Sequence, residues 1–420
     1  MEAKDILVIG GGIAGLAAAV ELARADKSVV LLEATHRLGG RILTRRAGAM
    51  PVELGAEFIH GGSPSLWKQL RRGRLKTIKV PNRFHLFRNG HLHRMNLWTE
   101  VEQVMEKIDP ATRDQSFAAF LAKQKFSETT KRLVTNFVEG FDAADPDKIG
   151  VHGLAAAGEE DDEDPGEHQF RVQRGYSTLI DTFEHEAKMA GVRIQKNTVI
   201  KHIRWETGRV HATGRKKGKP VSFDGHAAVI APPLGVLKSK SVRFHPPLRD
   251  KNQAIAGLKF GNVIKVILEF KRVFWHPRDF GFVVAIDESI PTWWSDPRGI
   301  ILTGWVGGPK ADELSKKTVS QVKARALAIA AKIFDVDPAF LRKQLKQIHT
   351  HDWRKDRFVG GASSYVPVDG ARLPKNLAAS MQNTLFFAGE ATVSDTQPGT
   401  VHGALDSGIR AAKEVLVSGL

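Results

Sequence analysis

Three glycines, Gly10, Gly12 and Gly15, follow a short apolar run in 6-ILVIGGGIAGLAAAV-20 and satisfy the spacing G-x-G-x-x-G. Each position has a physical use. The first permits a tight turn out of a strand, the second lets the backbone approach a pyrophosphate, and the third lets a helix pack closely on the strand. Ile13 and Ala14 lie in the same turn and count as cofactor contacts. The residues that follow, 16-LAAAVELARA-25, read as a helix whose unpaired N–H groups face the phosphate charge. A second run, 28-SVVLLE-33, ends in Glu33, 18 residues after Gly15, where a carboxylate can accept from ribose hydroxyls and repel a 2′-phosphate. Together these elements predict a bound dinucleotide.

A second chemical question sits in 261-GNVIKVILEF-270. As a strand it has one purely apolar face, Ile264, Val266, Leu268 and Phe270, and one mixed face, Val263, Lys265, Ile267 and Glu269. Lys265 is either on the wet side of a half-buried sheet or projects into a cavity that needs an amine. Alternation alone leaves both readings open.

The chain that must position these residues has 420 residues, 42% of them hydrophobic, enough for two cores. Its formal charge of +16 is dispersed, with short basic clusters at 71-RRGRLK-76 and 215-RKKGK-219, the latter read as a solvated hairpin tip. No dedicated nucleic-acid or membrane partner is expected. The absence of cysteine excludes disulfides, thiolate metal sites and flavin attachment through sulfur, and fits a reducing, cytoplasmic setting. The acidic run 159-EEDDED-164 reads as a solvated loop, or alternatively as an attractor for a cationic amine. Helical segments are predicted at 98–108, 127–141 and 312–334. Short strands around turns are predicted at 192–212, and further strands at 280–286 and 300–308. Trp293, Trp294 and Trp305 either line a flat apolar pocket or serve ordinary core packing.

The stretch 33-EATHRLGGRILT-44 carries E-x-x-x-R-x-G-G-R after a strand–helix–strand opening and resembles the two-dinucleotide-binding-domain flavoproteins. That resemblance implies FAD, with Ala34, Arg37, Gly39, Gly40 and Arg41 beside the cofactor and Arg41 countering pyrophosphate charge. The segment 52-VELGAEFIHG-61 is similar to flavin-dependent amine oxidases, polyamine oxidases especially, and implies that Gly55, Ala56, Glu57 and Phe58 pass close to the flavin. His60 matches an active-site histidine of some polyamine oxidases. A structural histidine hydrogen-bonded in a loop competes with that role. The 171–187 segment resembles the family's R-G-Y-x-x-L stretch, in which Tyr176 is given no chemistry. Val199 matches a main-chain contact to the adenine half.

The C-terminal stretch 384-TLFFAGEATVSDTQPGTVHGALDSGIRAAKEVL-416 resembles the same family, its T-V-H-G-A form being like that of lysine-specific histone demethylases. It implies that Gly389 and Glu390 hold the cofactor's linking chain. Thr400 and Val401 would open a helix aimed at the flavin C2 carbonyl. By the same comparison Ala362 stands where monoamine oxidases carry the flavin-tethering cysteine, so FAD is expected to be non-covalent. Ser363, Tyr365 and Thr400 are then pocket residues, but the paired-tyrosine cage is absent. Glu57, Asp369 and Asp395 are the candidate acids for amine recognition.

The family's lysine bonds a water at flavin N5, and Lys265 matches it. The implied fold is an α/β Rossmann-like FAD domain with an α+β substrate domain built on a mixed sheet. The FAD domain takes residues 1–70, 186–255 and 351–420, and the substrate domain 71–185 and 256–350. The implied reaction oxidises a primary or secondary amine, a polyamine being one case. A hydride equivalent passes to N5, the imine hydrolyses, and dioxygen reoxidises the flavin to give hydrogen peroxide; no metal is involved. The alternatives are an L-amino-acid or aromatic monoamine oxidase, or a flavin-containing binding or regulatory protein.

Overall fold

The computed structural model describes residues 5–47, 50–61, 63–158, 169–275, 281–394 and 398–419. The acidic run 159–164 and Asp395 lie outside the described residues.

The first apolar run forms the strand Ile6–Ile9 at the centre of a five-stranded parallel sheet. Its neighbours are Val29–Leu32, then Arg193–Gln195, on one side and Ala227–Ile230, then Leu385–Phe387, on the other. Both faces of this sheet are covered, which is why its strands, apart from the edge strand Arg193–Gln195, read as unbroken apolar runs. Ile6 and Val8 pack against the helices Ile13–Arg24 and Val401–Val417, while Leu7 and Ile9 pack into a second core with Ile203, Val210 and Ala212 of a four-stranded mixed sheet. The two helices touch so closely that a Cβ on Gly408 would lie 2.1 Å from the Ala14 carbonyl oxygen. The predicted tip at 215–219 is a tight turn between strands Arg209–Lys216 and Lys219–Gly225, with Lys217 and Gly218 both at positive φ.

The second sheet has seven strands in the order Leu345–Asp352, Val263–Phe270, Ile301–Gly307, Thr292–Ser295, Phe282–Val284, Phe84–Arg88 and His91–Met95. All its pairings are antiparallel except that of Phe282–Val284 with Phe84–Arg88. Ile264, Val266, Leu268 and Phe270 face a core that includes Val322, Ala326 and Ile329 of the helix Val319–Ile333. The opposite face of this strand corrects the half-wet reading, because all eight residues of Val263–Phe270 are buried. The predicted helix 312–334 is two helices, Gly308–Ser315 and Val319–Ile333. Thr318 breaks it by forming a capping box with Gln321, each side chain satisfying the other's backbone N–H.

Helices Leu97–Met105, Phe117–Ala122 and Glu128–Phe141 cover one end of this sheet and pack with Phe84, Phe282 and Trp294. No helix among the described residues is long and apolar enough to cross a membrane.

Candidate active site

Strand Ile6–Ile9 delivers the chain to Gly10, whose φ of +108° is a conformation other residues rarely adopt. The helix then begins after Gly12, with no side-chain cap and no acid in its first turn, so its leading N–H groups stay available to an anion. A Cβ on Gly12 would meet no atom within 4 Å, whereas one on Gly15 would lie 1.9 Å from the Gly10 oxygen. Open space at one glycine and helix packing at the other are the two roles the spacing predicted.

Both Glu33 oxygens are held by backbone, accepting from Gly11 N and Thr35 N at 2.7 Å each. Arg37 donates to the carbonyls of Leu38, Gly40 and Ile42 and so braces the Gly39–Gly40 turn. Arg41 pairs with Glu390 at 2.7 Å and also donates to the Ala362 carbonyl, which joins the second glycine loop to the C-terminal signature.

These residues line one end of a cavity of about 640 Å³. Its wall includes Gly10, Gly12, Ile13, Ala14, Glu33, Arg37, Gly39, Gly40 and Arg41. The segment Gly55, Ala56, Glu57 and Phe58 continues it, as do Gly389, Glu390, Ser363, Thr400 and Val401. The other end is an aromatic chamber walled by Phe58, Phe84, Trp98, Phe137, Phe282, Trp294 and Trp305, with His60 and Phe141 beside them. Phe84 and Phe282 are stacked at 4.9 Å, and Trp294 meets Trp305 at 5.9 Å.

Lys265 reaches this cavity from the buried mixed face of its strand. Its Nζ donates to Glu53 O at 3.0 Å, Gly55 O at 2.9 Å and Glu57 Oε2 at 2.5 Å, a full set of partners for an ammonium. Glu57 also accepts from Trp294 Nε1 and pairs with Arg171 at 2.7 Å. Arg171 pairs in turn with Asp296, which is held by Arg298. Burial opposes charge on Glu57, but Arg171 and Lys265 outweigh it and hold the carboxyl below the usual range. Burial lowers the Lys265 pKa despite Glu57. Nearby Glu53, whose carboxylate accepts from Thr44 Oγ1 and Tyr176 N, is pushed up to about 7 by burial. Burial, then His402, pushes His60 down to about 4, so its imidazole is neutral near pH 7.

Six expected site residues do not line the cavity. Trp293 corrects the three-tryptophan pocket: it is wholly buried in the core behind the sheet, and its Nε1 donates to Ile290 O. Adjacent strand residues point to opposite faces, so Trp293 and Trp294 could not both reach one chamber. Tyr365 packs into the core around Phe117 and Leu133 and does not replace a cage wall. Ala34 and Val199 lie off the wall, where Thr35 stands instead, and Gly15 serves helix packing. Asp369 is exposed and away from the cavity.

Sequence reasoning missed Phe84, Trp98, Asn136, Phe137, Phe141, Asp142 and His402, and gave no role to Tyr176, all of which line the cavity. Among the described residues, no group of three or more His, Asp or Glu side chains could hold a metal ion.

A family model described as flavin containing amine oxidoreductase matches residues 13–416. The chain belongs to this family. It is 31% identical over 454 residues to polyamine oxidase 2 of Arabidopsis thaliana, covering 98% of this chain and 88% of that protein. It is 29% identical over 446 residues to lysine-specific histone demethylase 1 homolog 2 of Oryza sativa subsp. japonica, covering 99% of this chain and 57% of the relative. Among solved structures, a wild-type putrescine oxidase bound to putrescine superposes with a TM-score of 0.84 at 19% identity over 99% of each chain. Cyclohexylamine oxidase from Brevibacterium oxydans IH-35A does so at 0.82 and 20% identity over 98% of each chain. The amine-oxidase fold of the family, with its mixed sheets, is therefore the fold of this chain.

Proposed function

We propose that the protein binds FAD non-covalently and oxidises a primary or secondary amine to an imine, with dioxygen as the final acceptor and hydrogen peroxide as product. One observation carries the reading: the glycine-lined groove and the aromatic chamber are a single cavity, and Lys265 stands on its wall.

The donor set fits FAD. Two helix N-termini, after Gly12 and after Thr400, open on the cavity, and open space surrounds Gly12 and Gly389 where a dinucleotide backbone must pass close. Glu33 keeps lone pairs for ribose hydroxyls. With no cysteine in the chain, attachment through sulfur is excluded. The two-dinucleotide-binding organisation, with the five alternating segments divided near residues 70, 185, 255 and 350, and a cytoplasmic setting belong to the same proposal.

FAD supplies the two-electron acceptor when bound there. The chain's residues supply the rest. The aromatic walls exclude water and favour the neutral form of the reacting amine, which must hold a free lone pair. The neutral His60 can accept a hydrogen bond from an N–H of that amine and so orient it. Lys265 places a fixed positive charge at the cavity wall, held by Glu53, Gly55 and Glu57.

The similarity to polyamine oxidase 2 of Arabidopsis thaliana supports an amine substrate. Anaerobic mixing of the FAD-loaded protein with spermidine, putrescine, phenylethylamine and amino acids tests the proposal. Loss of oxidised-flavin absorbance with at least one amine is expected, and hydrogen peroxide on readmitting air. Absence of bleaching with every amine in the panel overturns it.

A further inference from the structure

The sequence offers Glu57 as a candidate acid for amine recognition, but the protein itself takes up both of its oxygens. Oε1 accepts from Trp294 Nε1 at 3.0 Å and lies 2.7 Å from the Arg171 guanidinium. Oε2 accepts from Lys265 Nζ at 2.5 Å. From there the ion pairs run on in alternating sign, from Lys265 to Glu57, Arg171, Asp296 and Arg298. The first four side chains are 2–7% exposed and Arg298 is 15% exposed, so the series starts on the cavity wall and ends toward solvent.

A lysine this deeply buried is the kind that loses its proton, because burial disfavours the charged form. Burial does lower Lys265, and the contacts around it decide how far. Its three N–H groups each have an acceptor, Glu53 O, Gly55 O and Glu57 Oε2. Nζ also lies 5.6 Å from the ring centroids of Trp294 and Trp305, whose faces favour a cation. Of the ionisable groups that face it, Arg171 repels it. Burial raises Glu53 to about 7, which makes it a weak counter-charge near neutrality. His351, its partner on the adjoining strand, is lowered by burial and uncharged near pH 7. That leaves Glu57 as the counter-ion.

An isolated lysine–glutamate pair could still discharge itself by moving the proton across the 2.5 Å contact. Burial favours that outcome, and Arg171 opposes it. A guanidinium keeps its own proton and favours the ionised form of the carboxylate beside it.

We propose that Glu57, braced by Arg171, is a positioning residue that keeps Lys265 charged across the neutral range, so that Lys265 acts on a bound cofactor through a constant field and not by giving up a proton. The inference rests on the FAD-binding part of the reading above. It assigns Glu57 to the protein's own lysine and takes it out of amine recognition. Reduction adds negative charge to a flavin, and a fixed cation on the wall stabilises that form. The size of the effect should then not vary with pH.

The midpoint potential of the bound flavin, measured by dye equilibration at several pH values in wild type, Lys265→Met and Glu57→Gln, tests this. Proton uptake by the flavin itself is common to all three and cancels in the differences. Wild type should lie above Lys265→Met by a constant amount, equivalent to about tenfold or more in the ratio of reduced to oxidised flavin at a fixed potential. Glu57→Gln should lose that excess as pH rises and coincide with Lys265→Met by about pH 9, where Lys265 is no longer an ammonium.

A merely structural glutamate would lower stability but leave the excess in Glu57→Gln constant with pH, and that result overturns the proposal. So does a wild-type potential equal to that of Lys265→Met. If Glu57→Gln does not retain FAD, wild type and Lys265→Met decide: an excess that fades through the neutral range overturns the proposal, and a constant excess supports it. The measurement needs no amine. A protein that shows the expected pattern but is reduced by no amine keeps the assignment of Glu57 and overturns the amine oxidation alone, whereas failure of wild type to bind FAD overturns both.

Discussion

Lys265 is a buried cation fixed by three acceptors, two of them carbonyls of residues Glu53 and Gly55. Lys265→Met removes the positive charge from the cavity wall but leaves Glu57 with Arg171 and Trp294. Breaking a buried pair typically costs roughly 3–5 kcal/mol, and the surviving Arg171 should keep the loss below that range. The variant should therefore fold and hold FAD, and stopped-flow traces should show slower reduction or slower reoxidation. Rates equal to wild type in both half-reactions would remove Lys265 from the site.

Glu53 makes a separate pH prediction. Its folded pKa of about 7 lies above the ordinary 4.5, so the native state binds the proton more tightly than the unfolded chain does. Its contribution to stability is full below pH 4.5 and is lost as pH rises through 7. Glu53→Gln does not titrate. Its stability relative to wild type should rise by up to about 3 kcal/mol between those pH values in denaturant titrations. A difference that stays constant with pH would show that Glu53 is not held neutral.

At the scale of elements, the two glycines of the opening loop separate folding from binding. A methyl at Gly15 meets the Gly10 oxygen at 1.9 Å, so Gly15→Ala must push the helix off the strand. That overpacking costs roughly 1–3 kcal/mol or more and should lower the Tm of the FAD-free protein. A methyl at Gly12 meets nothing, and its φ of −71° suits any residue. Gly12→Ala should keep that Tm and lose flavin content, measured by absorbance after gel filtration. If both variants lose stability equally, the open space at Gly12 is not a ligand site.

The opening loop could be read from sequence because its strand, turn and helix are contiguous and each spacing has one use. The chamber could not. Trp293 and Trp294 look like a pair in the sequence, yet the strand Thr292–Ser295 sends them to opposite faces. Its short length and lack of alternating polarity hid it. The mixed face of Val263–Phe270 suggested water because the groups that satisfy Lys265 come from residues 53–57, more than 200 positions away. Asp142 and Phe141 end a helix whose apolar stripe predicts burial but not the cavity it borders. Thr318 and Gln321 were the visible sign of the break between the helices Gly308–Ser315 and Val319–Ile333, at the spacing of a capping box.

At the scale of the whole molecule, the cavity wall takes residues from the strands of the seven-stranded sheet, from the loops at the strand ends of the parallel sheet and from the helices beside them. A ligand that fills it should stabilise both sheets together. At a concentration about 100 times its Kd, FAD should add about 2.7 kcal/mol to the native state. Hydrogen exchange should then slow in both Ala227–Ile230 and Val263–Phe270. Protection confined to the parallel sheet would mean that the chamber and the groove are not one binding unit.

The seating of Gly408 on the Ala14 carbonyl has a consequence for the order of synthesis. The glycine loop leaves the ribosome well before the helix that closes over it. A nascent chain can build its first strands early, because local structure forms as translation proceeds. It cannot complete the groove until residues 401–417 have emerged, so the closed groove has to wait for that helix.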